Sequence, residues 1–143
     1  MKATELMIGD LIKIKGHLDY DKVQEIARDE NMQWYISFAC SATLFRAYEF
    51  EPIPLTPEIL EKNGFKKIDF SHYQINDRTL VLDADGKWDG EVSWHWVVTE
   101  MSTNSKGQNV VLDYYVATLN YAHQLQHALR LCGLNELADN FKV

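Results

Sequence analysis

His123 and His127 stand four residues apart in the stretch Tyr121-Ala-His-Gln-Leu-Gln-His-Ala-Leu-Arg-Leu-Cys-Gly133. On a helix that spacing puts two imidazoles one turn apart on one face, where they can share a metal ion. A zincin-type helix needs His-Glu-x-x-His, in which the glutamate activates water. Here Gln124 takes the second position, and an amide is no base. Two histidines also leave a zinc site without its third protein ligand. Leu119, Ala122, Leu125, Leu129 and Cys132 share one helical sector, with His123, His127 and Arg130 nearly opposite. The expectation is therefore a solvated polar face. His123, Gln124, Gln126, His127 and Arg130 form a candidate contact surface, with His123 and His127 as weak candidate metal ligands.

Other stretches that could carry chemistry fall short. Asp83-Ala-Asp-Gly-Lys-Trp-Asp-Gly90 resembles a calcium loop out of register: its glycine would fall at Trp88 and its bidentate glutamate at Trp94. A tight acidic turn is expected instead. Trp94 and Trp96 alternate on one strand and could stack nucleic-acid bases, but their neighbours are Glu91 and His95 rather than basic residues. They read as core, or as a binding patch if that strand face is left uncovered. The chain has no Gly-x-Ser-x-Gly elbow, no phosphate-binding glycine loop and no Gly-x-Gly-x-x-Gly. No catalytic set and no cofactor is assigned. Cys40 and Cys132, each beside apolar residues, are expected to be buried and unpaired.

The elements that would position these residues fall into two halves. Leu11–Lys15, Lys22–Ala27, Gln33–Phe38 and Phe45–Phe50 read as short strands of a small curled sheet, expected to be a barrel like an SH3 fold. Trp34, Ile36 and Phe38 share one face of the third. Pro52 and Pro54 mark a boundary. Thr56 then caps a short helix that begins at Pro57 and stops at Gly64, with Phe65 folding back on Leu60. Strands are expected near Tyr73–Ile75, Thr79–Leu82, Glu91–Val98 and Asn109–Val116, the last two joined as a hairpin through Ser102–Gln108. Helices over about Thr118–Cys132 and Asn135–Lys142, separated by Gly133, close the chain. The predicted fold class is α+β. It comprises an SH3-like strand-rich unit over 1–52, and over 53–143 a linker helix and an antiparallel sheet packed by the C-terminal helices.

Composition narrows the function classes. A chain of 143 residues with 46% hydrophobic residues can bury a core. A net charge of -7 disfavours nucleic acid, since phosphate backbones are bound by basic patches. No run approaches the ~20 apolar residues of a membrane span, and the charged start is unlike a signal peptide, so a cytoplasmic location is expected.

Three blocks carry a resemblance. They are Glu5-Leu-Met-Ile-Gly-Asp10, Glu51-Pro-Ile-Pro-Leu-Thr-Pro-Glu-Ile-Leu-Glu-Lys-Asn-Gly-Phe65, and the Tyr121–Gly133 stretch preceded by Tyr114-Tyr-Val. In that order the chain resembles a group of small uncharacterised proteins of bacterial genomes, prophages and mobile elements. The resemblance implies no activity. It implies that the second histidine position varies, often to Asn, which removes half of a ligand pair. The function expected is that of a non-catalytic accessory protein that binds a protein partner, and the resemblance implies a phage or mobile-element association. The alternatives are a metal-assisted hydrolase using His123 and His127, and a nucleic-acid-binding module in the N-terminal unit.

Overall fold

A computed structural model describes residues 3–38, 41–76, 78–83 and 93–143. Cys40 and residues 84–92, which hold most of the Asp83–Gly90 acidic turn together with Glu91 and Val92, lie outside the described residues. The fold is mixed α+β, as the patterning predicts. The chain forms two compact units: Met1–Pro54 with Tyr121–Val143, and Leu55–Asn120.

The first unit is built on a five-stranded antiparallel sheet. Its strands are β1 (Leu11–Ile14), β2 (Tyr20–Arg28), β3 (Trp34–Phe38), β4 (Ser41–Arg46) and β5 (Phe50–Glu51), in the order β4-β3-β2-β1-β5. The expected strand over Phe45–Phe50 is instead interrupted by a 3-10 turn at Ala47–Glu49, closed by the Arg46 N–H donating to Glu49 Oε2 at 2.6 Å. Register shifts between β2 and β3 and between β3 and β4 increase local twist and curl the sheet. Phe38, Phe45 and Phe50, from β3, β4 and β5, pack edge-to-face with centroids 5.5–6.2 Å apart. Both edges of the sheet thus face one core, which also holds Ala3, Leu6, Ile12, Val23 and Ile36.

Two helices complete this unit: α2 (Ala122–Leu131) and α3 (Asn135–Asp139). The helix expected from Thr118 starts later, because Thr118 ends a strand. At the start of α2 the Tyr121 N–H donates to Gln124 Oε1 at 3.2 Å. At its end Gly133 takes φ +77°, and the Leu134 N–H reaches back to the Leu129 carbonyl at 2.9 Å. α2 packs on β1 and α3, so the C-terminal helices belong to the N-terminal unit. That corrects the expected division at residue 52, and with it the expectation that these helices cover the second sheet. The physical reason is long-range: polar side chains of α2 bind the backbone beside β1.

The second unit carries α1 (Pro57–Lys62) and the strands β6 (Lys66–Lys67), β7 (His72–Ile75), β8 (Arg78–Asp83), β9 (Ser93–Thr103) and β10 (Asn109–Thr118). They form an antiparallel meander in the order β10-β9-β8-β7-β6. The end signals of α1 act as the sequence indicates. Thr56 Oγ1 accepts from the Ile59 N–H at 3.4 Å, Gly64 takes φ +80°, and the Phe65 N–H donates to the Leu60 carbonyl at 3.1 Å. Leu55, Ile59, Leu60, Phe65, Tyr73, Trp94, Trp96, Val97 and Leu119 are buried in this unit. Trp94 packs edge-to-face on Tyr73 and donates its indole N–H to the Leu55 carbonyl at 2.9 Å. The two tryptophans are therefore core, not an uncovered patch. On the rim, Asp69 Oδ1 accepts from the Ser71 and His72 N–H groups, each at 2.9 Å, and lies 2.6 Å from His72 Nδ1; the Ser71 bond and then the His72 ring lower its carboxyl pKa to about 2.

Candidate functional site

The polar sector of α2 does not face solvent. His123 keeps 3% of its surface and Gln126 none. Both were expected in an exposed contact face with Gln124, His127 and Arg130, and burial overturns that expectation. The turn that leads into β1 lies against this sector, so helix and turn satisfy each other's polar groups.

Gln126 is a bracket. Its Oε1 accepts from the Leu11 N–H at 2.9 Å, while its Nε2 donates to the carbonyls of Gly9 at 3.1 Å and Ala138 at 2.9 Å. One side chain thus ties β1, α2 and α3 through three backbone groups. Gln124 serves the start of its own helix, as described above.

Asp10 is the charged centre. It is wholly buried. Its Oδ1 accepts from Arg130 Nη1 at 2.9 Å. Its Oδ2 accepts from the Met7 N–H and lies 2.7 Å from His127 Nε2. A carboxylate only accepts, so Nε2 is the protonated ring nitrogen of His127. Arg130 also reaches Asp139 Oδ1 at 3.5 Å. Gly9 makes room for the guanidinium: its φ is +88°, and a Cβ there would come within 2.9 Å of Arg130 Nη2. The positive φ favours glycine at this position, and a side chain there would push the guanidinium away from Asp10.

His123 completes the cluster. Its ring stacks on Tyr121 at 5.9 Å with an interplanar angle of 5°, and meets the His127 ring edge-on at 5.9 Å. Nδ1 of His123 is buried and has no hydrogen-bond partner among the described residues. Burial lowers its pKa below the usual 6.5, the dominant cause; Asp10 and Glu5 pull the other way, and His127 and the terminal amine reinforce the lowering.

The oxygens of Asp10 are occupied, and Asp10 is the hydrogen-bond partner of His127. Among the described residues no three His, Cys, Asp or Glu side chains are grouped to hold a metal ion. Cys132 is a free, half-buried thiol rather than a buried one. Asp10, Gly9 and Asp139 were not picked out by spacing, and Gly9-Asp10 read only as a turn before a strand. The retrievable signal was His127 and Arg130 three residues apart on one face, a pair of donors that calls for a buried acceptor.

The second unit presents a different surface. β10 lies at the edge of its sheet. On the β9–β10 hairpin Met101 and Tyr115 each keep 69% of their surface, Val116 61% and Val111 58%. Tyr114 and Leu112 are exposed as well. His95 and Tyr115 meet edge-to-face at 5.6 Å, and the His95 ring lies 3.2 Å from Thr118 Oγ1, which fixes the base of the hairpin. No helix among the described residues is long and apolar enough to cross a membrane. No family model, curated protein or solved structure matches the chain.

Proposed function

We propose that this chain is a non-catalytic interaction protein of the cytoplasm, of the phage and mobile-element group it resembles, and that it docks through the β9–β10 hairpin. The observation that carries this reading is the exposed apolar set Met101, Val111, Leu112, Tyr114, Tyr115 and Val116. Exposed large apolar side chains gathered on one hairpin mark an interaction surface. The first unit supports the reading from the other side, because Asp10, His127 and Arg130, the ionisable groups at its centre, engage one another. The strand order β4-β3-β2-β1-β5, with a 3-10 turn between β4 and β5, favours an SH3-like reading of that unit, which would serve here as a scaffold.

A photo-reactive phenylalanine analogue at Tyr115, irradiated in bacterial cells that express the full chain, tests the surface. Adducts are expected at this position and not at Lys15, a strand-end control. If the two positions give the same yield, the hairpin is no docking surface.

A further inference from the structure

We infer that the hairpin's partner is a second copy of this chain, bound by antiparallel pairing of β10 with β10 of that copy. The inference rests on the docking role proposed for the hairpin and names its occupant.

The first argument is the edge itself. β10 pairs with β9 alone among the described strands, so its outer side offers unpaired N–H and C=O groups. Exposed edges are ordinarily protected by lysine, proline or brevity. β10 runs ten residues, Asn-Val-Val-Leu-Asp-Tyr-Tyr-Val-Ala-Thr, with no lysine, no proline and one charge, Asp113. Nothing in that sequence opposes pairing with another strand.

The second argument is register. β10 pairs with β9 without interruption from Asn109 to Tyr115, and the register shifts after Tyr115. The regular segment therefore has Leu112 at its centre. A two-fold axis there sets Leu112 opposite its own copy, Val110 opposite Tyr114, Val111 opposite Asp113, and Asn109 opposite Tyr115. Positions 110, 112 and 114 share one face, so Val110, Leu112 and Tyr114 form a continuous apolar stripe with their symmetry mates. Aromatic with β-branched pairing across strands is favourable. The same axis keeps the two Asp113 positions out of direct opposition, where like charges destabilise. A segment that matches its own reverse in this way suits an isologous dimer.

The third argument is exposure on both faces of the edge. Leu112 and Tyr114 lie on one face of β10 and Val111 on the other, beside its ladder partner Met101, and all four are exposed, so a strand added at this edge covers apolar side chains on either side.

Sedimentation velocity of the full chain over a concentration series is the direct test. A dimer is expected, with Leu112→Lys and Tyr114→Lys each shifting it to monomer while far-ultraviolet circular dichroism is unchanged. In a Cys40→Ser, Cys132→Ser background, Leu112→Cys should cross-link to its own copy under mild oxidant and Asn109→Cys should not. A wild-type chain that stays monomeric throughout overturns the inference. So does equal cross-linking at 109 and 112, which would mean a different register. Should the chain be monomeric yet give adducts with another protein at Tyr115, the second copy is wrong and the docking surface stands. Absence of adducts from a monomeric chain removes both.

Discussion

Replacing Asp10 with alanine takes from Arg130 Nη1 and His127 Nε2 the acceptor they share and leaves Arg130 only the longer contact to Asp139. Breaking a buried ion pair by removing one partner costs about 3 kcal/mol or more, so the urea midpoint of Asp10→Ala should fall by a corresponding amount. Gln126→Leu keeps most of the volume but strands the Leu11 N–H and the carbonyls of Gly9 and Ala138, at a cost of about 3 kcal/mol. An unchanged midpoint in Gln126→Leu would mean that the bracket is idle. His123 sets a pH dependence. Its folded pKa lies below the unfolded value, so the unfolded chain binds more protons and stability falls as pH drops through about 6.5. Between about pH 7.5 and about pH 5 the loss should be smaller in His123→Phe than in wild type. Protein purified without a metal-affinity tag should carry substoichiometric zinc, because Asp10 already engages His127 Nε2; a full equivalent would restore the hydrolase alternative. At this scale the sequence was half legible. It put His123, His127 and Arg130 on one helical face, but whether a polar face meets water or a buried aspartate depends on a residue 117 positions away.

Elements were legible where their signals are local. Thr56, Pro57, Gly64 and Phe65 lie within ten residues and specify α1 without reference to anything else. Thr56→Ala should cost about 1 kcal/mol by removing the cap on the Ile59 N–H, read as a lower melting temperature of the second unit. Alternation also located β3 and the β9–β10 hairpin. The interruption between β4 and β5 was missed, because the 3-10 turn at Ala47–Glu49 closes through a side chain rather than through a Gly or Pro that marks a turn. The start of α2 was placed too early for a similar reason. Thr118 and Leu119 fit a helical period equally well, and pairing of Thr118 with His95 in β9 decides for strand.

For the molecule as a whole, the C-terminal helices complete the N-terminal unit, which is therefore discontinuous in sequence. Deleting residues 121–143 should collapse the β1–β5 sheet, removing its amide protection in hydrogen exchange, whereas a unit confined to 1–52 would survive. The second unit enters as an insertion between Pro54 and Tyr121. Periodicity and end signals by themselves determined the α+β class, the capped helix, the two tryptophans on one strand face and the lack of a local catalytic motif. These depend on neighbours a few residues apart. Only the tertiary structure decided which sheet the last helices join, that the histidine face closes on Asp10, and that the open apolar surface lies on β10. Each of those is settled by contacts between distant segments, and an amphipathic pattern says which faces are apolar without saying what will cover them.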